Sequence, residues 1–196
     1  MKFAPDIAKT TFASPLGSIT LAATHKGLAG AWFVDQRHLP DYAAWPQQEK
    51  HPLLQLAQRQ LLEYLAGQRV SFDMPLDLQG GTAFQQAVWQ ALLRIPFGAI
   101  TSYGAIGNQI GNPKAVRAVG AAVGRNPVSM IVPCHRVLGA GGALTGYAGG
   151  LARKVALLDL EKSSTVAEQG VPGPPCRYQN TSTGRKVLVH EKILAA

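Results

Sequence analysis

The side chains best suited to chemistry stand in one short segment, IVPCHRV at residues 131–137, where an apolar run leads into a glycine-rich loop. Cys134 offers a thiol, which becomes a soft, strong nucleophile when it ionises, and His135 offers a base. Consecutive side chains of an extended backbone point to opposite faces, so we expect a water between the two groups rather than a direct protease-like pair. A buried thiol beside a surface imidazole is the alternative that these two residues alone leave open.

Composition limits the class of protein. The 196 residues suffice for one ordinary domain or two small ones with a real core. Cys134 and Cys176 are too few for a disulfide framework, and no CxxC or Cys/His cluster provides the four ligands of a zinc site. We therefore expect a reduced protein with no metal and no other cofactor.

The sequence also predicts a location. The segment MKFAPDIAKTTF lacks the apolar core of a signal peptide. No apolar run approaches the roughly 20 residues that span a bilayer. We expect a soluble, cytoplasmic monomer with no membrane partner.

Positive charge is concentrated in the second part of the chain. Residues 1–82 hold seven Lys/Arg and seven Asp/Glu, whereas residues 83–162 hold eight Lys/Arg and only Asp159 and Glu161. No acidic residue lies between Asp77 and Asp159. A surface that lies against a polyanion needs this property, because acidic side chains there would repel phosphates. Nucleic acid binding is one interpretation, and chance combined with solubility is the other.

The first part, residues 1–80, predicts a small antiparallel sheet and a helix. The runs TTFASPLG, SITLAAT and GLAGAWFV contain alternating or β-branched residues and are separated by Pro-Leu-Gly and His-Lys-Gly turns. From Pro52, apolar residues recur at helical spacing until Gly67 stops the run. VSFDMPLDL is then predicted as a last extended segment, and QGGT as a linker.

The second part, residues 81–162, predicts mainly helices. Thr82 is a good N-cap for FQQAVWQALLRI, and SYGAIGNQI forms a second, short helix. Pro113 is the expected first residue of a third helix, KAVRAVGAAVGRN, which makes a helix-turn-helix with the second. A buried extended run, VSMIVP, leads to a glycine-rich loop and a last helix, LARKVALLDLEK. The predicted fold class is α+β.

The chain changes character after residue 162. The stretch SSTVAEQGVPGPPCRYQNTSTGRK has Pro, Gly, Ser and Thr in place of apolar periodicity. KVLVHEKILAA is compatible with a strand or a helical turn. We predict a flexible tail over residues 163–196 and assign it no function.

The segment around Cys134 resembles the PCHRV active-site motif of the methylated-DNA–protein-cysteine methyltransferases, the O6-alkylguanine-DNA alkyltransferases. The resemblance covers about residues 84–161 and includes GNPKAVRAVG, Asn126-Pro127 and Tyr147 followed by Gly149-Gly150. The first part is similar to the family only in its pattern of strands and one helix. The resemblance implies direct DNA repair, in which the alkyl group of O6-alkylguanine or O4-alkylthymine moves irreversibly to Cys134 in a single turnover.

Such a transfer is a displacement at saturated carbon, for which a thiolate is the suitable acceptor. The resemblance implies that His135 polarises a water toward the sulfur and that Glu161 holds the imidazole in the productive tautomer. The implied partner is duplex DNA that carries the alkylated base. A bacterial protein of this kind would associate with the nucleoid.

Access to the O6 atom requires that the base leave the duplex. The resemblance implies that Arg117 intercalates in its place, that Tyr103 contacts the flipped guanine and its phosphate, and that Asn126 ties the recognition helix to the active-site loop. The small side chains around Arg117 let this helix approach a minor groove closely. We expect basic side chains, including Lys114 and Arg136, to contact phosphates. A core aromatic is the alternative interpretation of Tyr103.

The resemblance also implies how the base is held. Backbone carbonyls of Cys134 and Val137 would accept the guanine amino group, and Tyr147 with the Ala148 amide would face the O6 atom. Ala148 stands where some family members carry serine, so a side-chain contact is lost while the amide remains.

Three other functions fit parts of the pattern. A catalytically silent lesion binder would share the helix-turn-helix but lack Cys134. A sequence-specific regulator would need polar base-reading side chains, whereas KAVRAVGAAV offers essentially one arginine. A cysteine hydrolase would need turnover, and a thioether has no easy route to hydrolysis.

Overall fold

The computed structural model describes residues 1 and 3–169 together with 177–180 and 186–189, and it describes side chains as far as residue 162. The first part contains a three-stranded antiparallel sheet in the order β1 (Ala8–Phe12), β2 (Ile19–Thr24), β3 (Gly27–Phe33). Strands β2 and β3 are buried along their whole length, as a central sheet layer should be. One register shift, between Ala22 and Ala23, bends the β2–β3 pair.

Helix α1 (Pro52–Leu65) covers this sheet. Proline begins the helix, where the missing N–H costs nothing, and the buried face consists of residues at helical spacing, namely Leu54, Ala57, Gln60, Leu61 and Tyr64. The segment VSFDMPLDL forms only a β-bridge between Leu28 and Leu76. Pro75 contributes its carbonyl to Leu28 N at 2.9 Å but has no N–H to extend the ladder, which explains why the predicted extended segment is not a regular strand.

Helix α2 (Ala83–Leu93) begins at the predicted N-cap. Gln85 N donates to Thr82 Oγ1 at 3.3 Å and Thr82 N donates to Gln85 Oε1 at 2.9 Å, so both halves of a capping box are present. A short strand β4 (Thr101–Ser102) and helix α3 (Tyr103–Gln109) follow, with Ser102 as the N-cap.

Helix α4 (Val116–Gly124) begins later than the sequence predicts. Pro113 lies in the preceding turn, where Ala115 N donates to Asn112 O at 3.0 Å, so the expectation that it is the first helical residue is wrong. Helices α3 and α4 nevertheless form the predicted pair joined by a glycine-containing turn, in which Gly111 has φ +72°.

The run VSMIVP is buried as predicted but is not extended. Met130 has φ +72°, and the chain folds on itself with Val132 N donating to Val128 O at 2.9 Å. The chain docks here on strand β3 through two backbone hydrogen bonds, from Ala31 N to Pro127 O and from Ser129 N to Ala31 O, each 2.9 Å long. A run of apolar side chains is compatible with a buried loop as well as with a buried strand. The hydrophobic pattern alone therefore led to the wrong prediction of an extended segment.

The segment that contains Cys134 follows as a 3-10 turn (Cys134–Arg136) and strand β5 (Val137–Leu138), which pairs in parallel with β4. The glycine-rich loop contains a second 3-10 turn (Ala140–Gly142). Helix α5 (Leu151–Gln169) begins with the predicted last helix and continues beyond it.

Strands β6 (Arg177–Asn180) and β7 (Lys186–Val189) form an antiparallel pair inside the predicted tail. Cys176 and the rest of that segment lie outside the described residues, so the flexible tail stays a prediction. No helix in the described part of the chain is long and apolar enough to cross a membrane.

The predicted α+β class is confirmed. The main hydrophobic core, however, includes buried residues of both parts, from Leu21 and Tyr64 to Trp89, Val119 and Cys134. The cysteine segment is therefore held by the first part as well as by the second.

Candidate active site

Cys134 is buried at the floor of a cleft, with 5% of its surface exposed. Its Sγ accepts a hydrogen bond of 3.1 Å from Asn126 Nδ2. Asn126 lies two residues after the end of helix α4 and is fixed by two further bonds, from its Nδ2 to Val132 O at 2.7 Å and from Val128 N to its Oδ1 at 3.0 Å. One side chain thus connects the end of α4 to the sulfur.

Burial raises the pKa of the Cys134 thiol, and the Asn126 hydrogen bond and the positive charge of Lys154 oppose this shift. The sulfur therefore rests as a thiol in the closed site. A base is needed to remove its proton before the sulfur can act as a nucleophile.

His135 and Glu161 form a completely buried pair, in which His135 Nε2 lies 2.9 Å from Glu161 Oε1. Burial lowers the pKa of His135, so the imidazole is neutral at neutral pH. Because a carboxylate oxygen only accepts, we assign the proton to Nε2, which leaves Nδ1 as the basic nitrogen. His135 Nδ1 is buried and has no hydrogen-bond partner among the described residues.

The Glu161 carboxylate accepts hydrogen bonds from four residues, namely Tyr64, Gly98, His135 and Arg136. Burial alone would raise its pKa, but hydrogen bonds from His135 and Arg136 outweigh burial and lower the pKa from 4.5 to about 2. Tyr64 Oη donates to Glu161 Oε1 at 2.7 Å, and Gly98 N donates to Oε2 at 3.1 Å. The carboxylate is therefore charged throughout the physiological range.

Arg136 does not lie where the sequence led us to expect it. Its Nε and Nη2 donate to Glu161 at 2.9 and 2.7 Å, its Nη1 donates to Ile95 O at 2.6 Å, and it is 6% exposed. The guanidinium pairs inward with the Glu161 carboxylate and with a backbone carbonyl, an arrangement that does not favour the predicted phosphate contact. The sequence did not reveal this pair, whose members are 25 residues apart.

Lys154, from helix α5, binds backbone carbonyls at both ends of the glycine-rich loop. Its Nζ donates to Val137 O at 2.7 Å and to Thr145 O at 2.9 Å, and burial lowers its pKa to about 8. The Val137 carbonyl that was predicted to bind the base thus already accepts one side-chain hydrogen bond, and a carbonyl oxygen can accept two. Lys154 precedes the buried Leu157 and Leu158 by three and four residues, a spacing that could have predicted its burial.

The cleft above the sulfur has walls from three regions. Helices α3 and α4 contribute Tyr103, Gly120, Val123 and Gly124. The glycine-rich loop contributes Gly146, Tyr147 and Ala148, and the segment after β3 contributes Arg37 and His38. The sequence did not predict the wall formed by Arg37 and His38. Arg37 N donates to Ala148 O at 3.0 Å, a contact that only the tertiary fold creates.

The predicted DNA-contacting side chains lie on or beside helices α3 and α4. Arg117 is exposed in the first turn of α4, and Lys114 is exposed in the turn before it. Tyr103 is half-buried, and its hydroxyl donates to Thr145 O at 3.3 Å. Tyr103 thus joins helix α3 to the loop, while Arg117 projects from the molecule.

Glu161 should dominate the acid sensitivity of the fold. Its folded pKa of about 2 lies below the ordinary value of 4.5, so the stability it contributes is present above pH 4.5 and is lost as the pH falls toward 2. This difference corresponds to about 3 kcal/mol. We expect Glu161→Gln to lower the free energy of unfolding at pH 7 by about 3–5 kcal/mol, because Arg136 loses its buried partner.

Urea unfolding between pH 2.5 and pH 7 checks this expectation. The wild type should lose stability over the acid range and Glu161→Gln should lose much less. The control is Glu63→Gln, which removes a half-buried carboxylate 2.7 Å from Arg69 Nε. Parallel pH curves for the wild type and Glu161→Gln would contradict the assignment.

Two family models match the chain. Residues 83–163 match the DNA binding domain of 6-O-methylguanine DNA methyltransferase, and residues 7–78 match the ribonuclease-like domain of the same family. The methylated-DNA–protein-cysteine methyltransferase of Mycobacterium tuberculosis is 49% identical over 158 residues, which make up 81% of this chain and 94% of that protein. The corresponding protein of Methanosarcina acetivorans is 49% identical over 155 residues, or 78% and 96% of the two chains.

A solved structure agrees with these matches. The crystal structure of the M. tuberculosis protein in complex with DNA superposes with a TM-score of 0.73 at 49% identity, covering 80% of this chain and 94% of that chain. The family models together span more than half of the sequence, and the relatives are matched over most of their length. The chain therefore belongs to the methylated-DNA–protein-cysteine methyltransferase family.

Proposed function

We propose that this chain repairs DNA by moving an alkyl group from O6 of guanine, or from O4 of thymine, to its own Cys134. The sulfur attacks the alkyl carbon, a C–S bond forms and the C–O bond breaks. The thiol proton passes to His135 Nδ1 through a water, and the released base, which leaves as an anion, takes up a proton. The product is a thioether, so each molecule acts once.

The single observation that carries this proposal is the buried arrangement of two hydrogen-bonded pairs, Asn126 with Cys134 and His135 with Glu161, directly below the cleft. Cys134 is aligned by Asn126, and the adjacent buried His135 has its basic Nδ1 uncommitted while Glu161 occupies Nε2. Neutral imidazole backed by a carboxylate is suited to accept one proton. Because the thiol is buried, it stays unreactive until an alkylated nucleobase fills the cleft.

Double-stranded DNA is the partner that the charge distribution and the DNA complex of the M. tuberculosis relative support. We propose that the exposed Arg117 enters the stack as the alkylated base leaves, and that Lys114 contacts a phosphate. Tyr103 and Tyr147 then face the base inside the cleft, and the Ala148 amide faces the O6 or O4 atom. The small residues of α4 suit a close approach to the minor groove.

The fate of the lesion tests this proposal. A duplex with one O6-methylguanine is incubated with the protein at several molar ratios, and the bases are then analysed after digestion of the DNA. We expect restored guanine in an amount equal to the protein added, with no further repair over time and no strand break. A parallel duplex with O4-methylthymine should show the same plateau, more slowly or at the same rate.

Three outcomes would contradict the proposal. Repair of several lesions per protein molecule would indicate a hydrolase, and release of the free alkylated base would indicate a glycosylase. Tight binding without any loss of the lesion would indicate a silent lesion binder, which Cys134 argues against.

A further inference from the structure

We propose that Tyr64, from helix α1 of the first part of the chain, is a positioning residue for the alkyl transfer. Its hydroxyl keeps the proton of the His135–Glu161 pair on His135 Nε2, and so keeps Nδ1 ready to accept the thiol proton. This inference rests on the proposed function and adds to it a residue outside the matched PCHRV motif.

The contact between Tyr64 and Glu161 is short and buried. Tyr64 is 1% exposed, and its Oη lies 2.7 Å from Glu161 Oε1 and 3.4 Å from His135 Nε2. Burial and the charge of Glu161 raise the pKa of Tyr64 far above its ordinary value, so the phenol stays protonated and donates. The hydroxyl therefore shares the same carboxylate oxygen with the imidazole.

Sharing one oxygen has a consequence for the proton. Each donor to Glu161 Oε1 withdraws electron density from it and lowers its affinity for a proton. With Tyr64 bound, the carboxylate draws the Nε2 proton less strongly and stabilises an imidazolium less strongly. His135 is then held neutral, with its proton on Nε2, which is the form that can act as a base through Nδ1.

The other charged and titratable groups around His135 are Glu161, Arg136, Lys154 and Cys134. Arg136 and Lys154 disfavour the imidazolium, whereas Glu161 favours it. Helix α1 contributes Tyr64 to this group. The Tyr64 hydroxyl acts by weakening the attraction of Glu161 for the proton on His135 Nε2. The ring is fixed independently of the hydroxyl, since it packs on Phe72 and Phe97 at centroid distances of 5.2 and 6.3 Å.

Tyr64→Phe therefore removes one oxygen and retains the packing. The pKa of His135, followed by NMR of the imidazole ring, should rise by about half a unit. The second-order rate constant for reaction with free O6-benzylguanine should fall about threefold on the acid side of its pH profile, so that its decline moves to higher pH by the same half unit. The rate should change less than about twofold at pH 7, because burial already keeps the imidazole neutral there. Replacement of Tyr64 by 3-fluorotyrosine, a stronger donor, should shift both readouts in the opposite direction.

Tyr42→Phe is the matched control, because Tyr42 lies in the same part of the chain and outside the site. It should change neither the His135 pKa nor the rate. An unmoved His135 pKa in Tyr64→Phe overturns the proposal, as does an unmoved acid limb, even if thermal unfolding shows a loss of stability. The NMR readout needs no alkyl transfer, so a wild type that fails to react would refute the proposed function while this measurement still judges Tyr64.

Discussion

Cys134→Ser should show no detectable alkyl transfer while it still binds duplex DNA. A serine hydroxyl is far harder to ionise than a thiol, and its oxygen is a much poorer nucleophile toward saturated carbon. The site offers no stronger base to compensate, since burial lowers the pKa of His135. DNA binding should persist because Arg117 and Lys114 lie on the surface, away from the buried position 134.

Single-turnover repair assays and fluorescence anisotropy with undamaged duplex measure the two properties separately. Cys176→Ser provides the control, since it removes the other thiol of the chain and should retain full transfer. Residual transfer by Cys134→Ser at a substantial fraction of the wild-type rate would contradict the assignment. Loss of DNA binding in the same variant would mean that the substitution disturbs the fold instead.

Arg117→Ala should slow repair of O6-methylguanine in a duplex by about 10- to 100-fold and leave the reaction with free O6-benzylguanine nearly unchanged. Extrusion of a base from the stack costs about a few kcal/mol, and only the duplex substrate incurs this cost. The exposed position of Arg117 in the first turn of α4 gives it no contact that would support Cys134 directly. The ratio of the two rate losses is the quantity to measure.

Arg59→Ala is a suitable control for this experiment. Arg59 is also an exposed helical arginine, but it lies on α1 and pairs with Glu63 at 3.8 Å. It should affect neither substrate. Equal losses on duplex and free base in Arg117→Ala would mean that the arginine supports the fold or the chemistry and does not replace a flipped base.

Local features of the fold could be predicted because their causes are local. Thr82 caps α2 through a contact three residues away, Pro52 begins α1, and the apolar spacing of α1 places its buried face correctly. The failures concern segments whose shape depends on distant partners. VSMIVP turns at Met130 because strand β3 binds it, and no pattern inside the segment carries that information.

The same distinction applies to the site. The segment around Cys134 pointed to the nucleophile and to His135 as a base, and the resemblance supplied Glu161 and Asn126. The inward pairing of Arg136 was missed, because an arginine in a basic region is equally suited to a phosphate and to a buried carboxylate. Tyr64 was not singled out, since its ring fits the apolar helical spacing between Pro52 and Gly67, while its hydroxyl binds Glu161 97 residues away.

Peptide mass mapping after reaction with a duplex that carries isotopically labelled O6-methylguanine tests the identity of the acceptor most directly. The account predicts one labelled methyl group per protein molecule, all of it on the peptide that contains Cys134 and attached to sulfur. Label on Cys176, label on several residues, or unlabelled protein after complete repair of the lesion would contradict it.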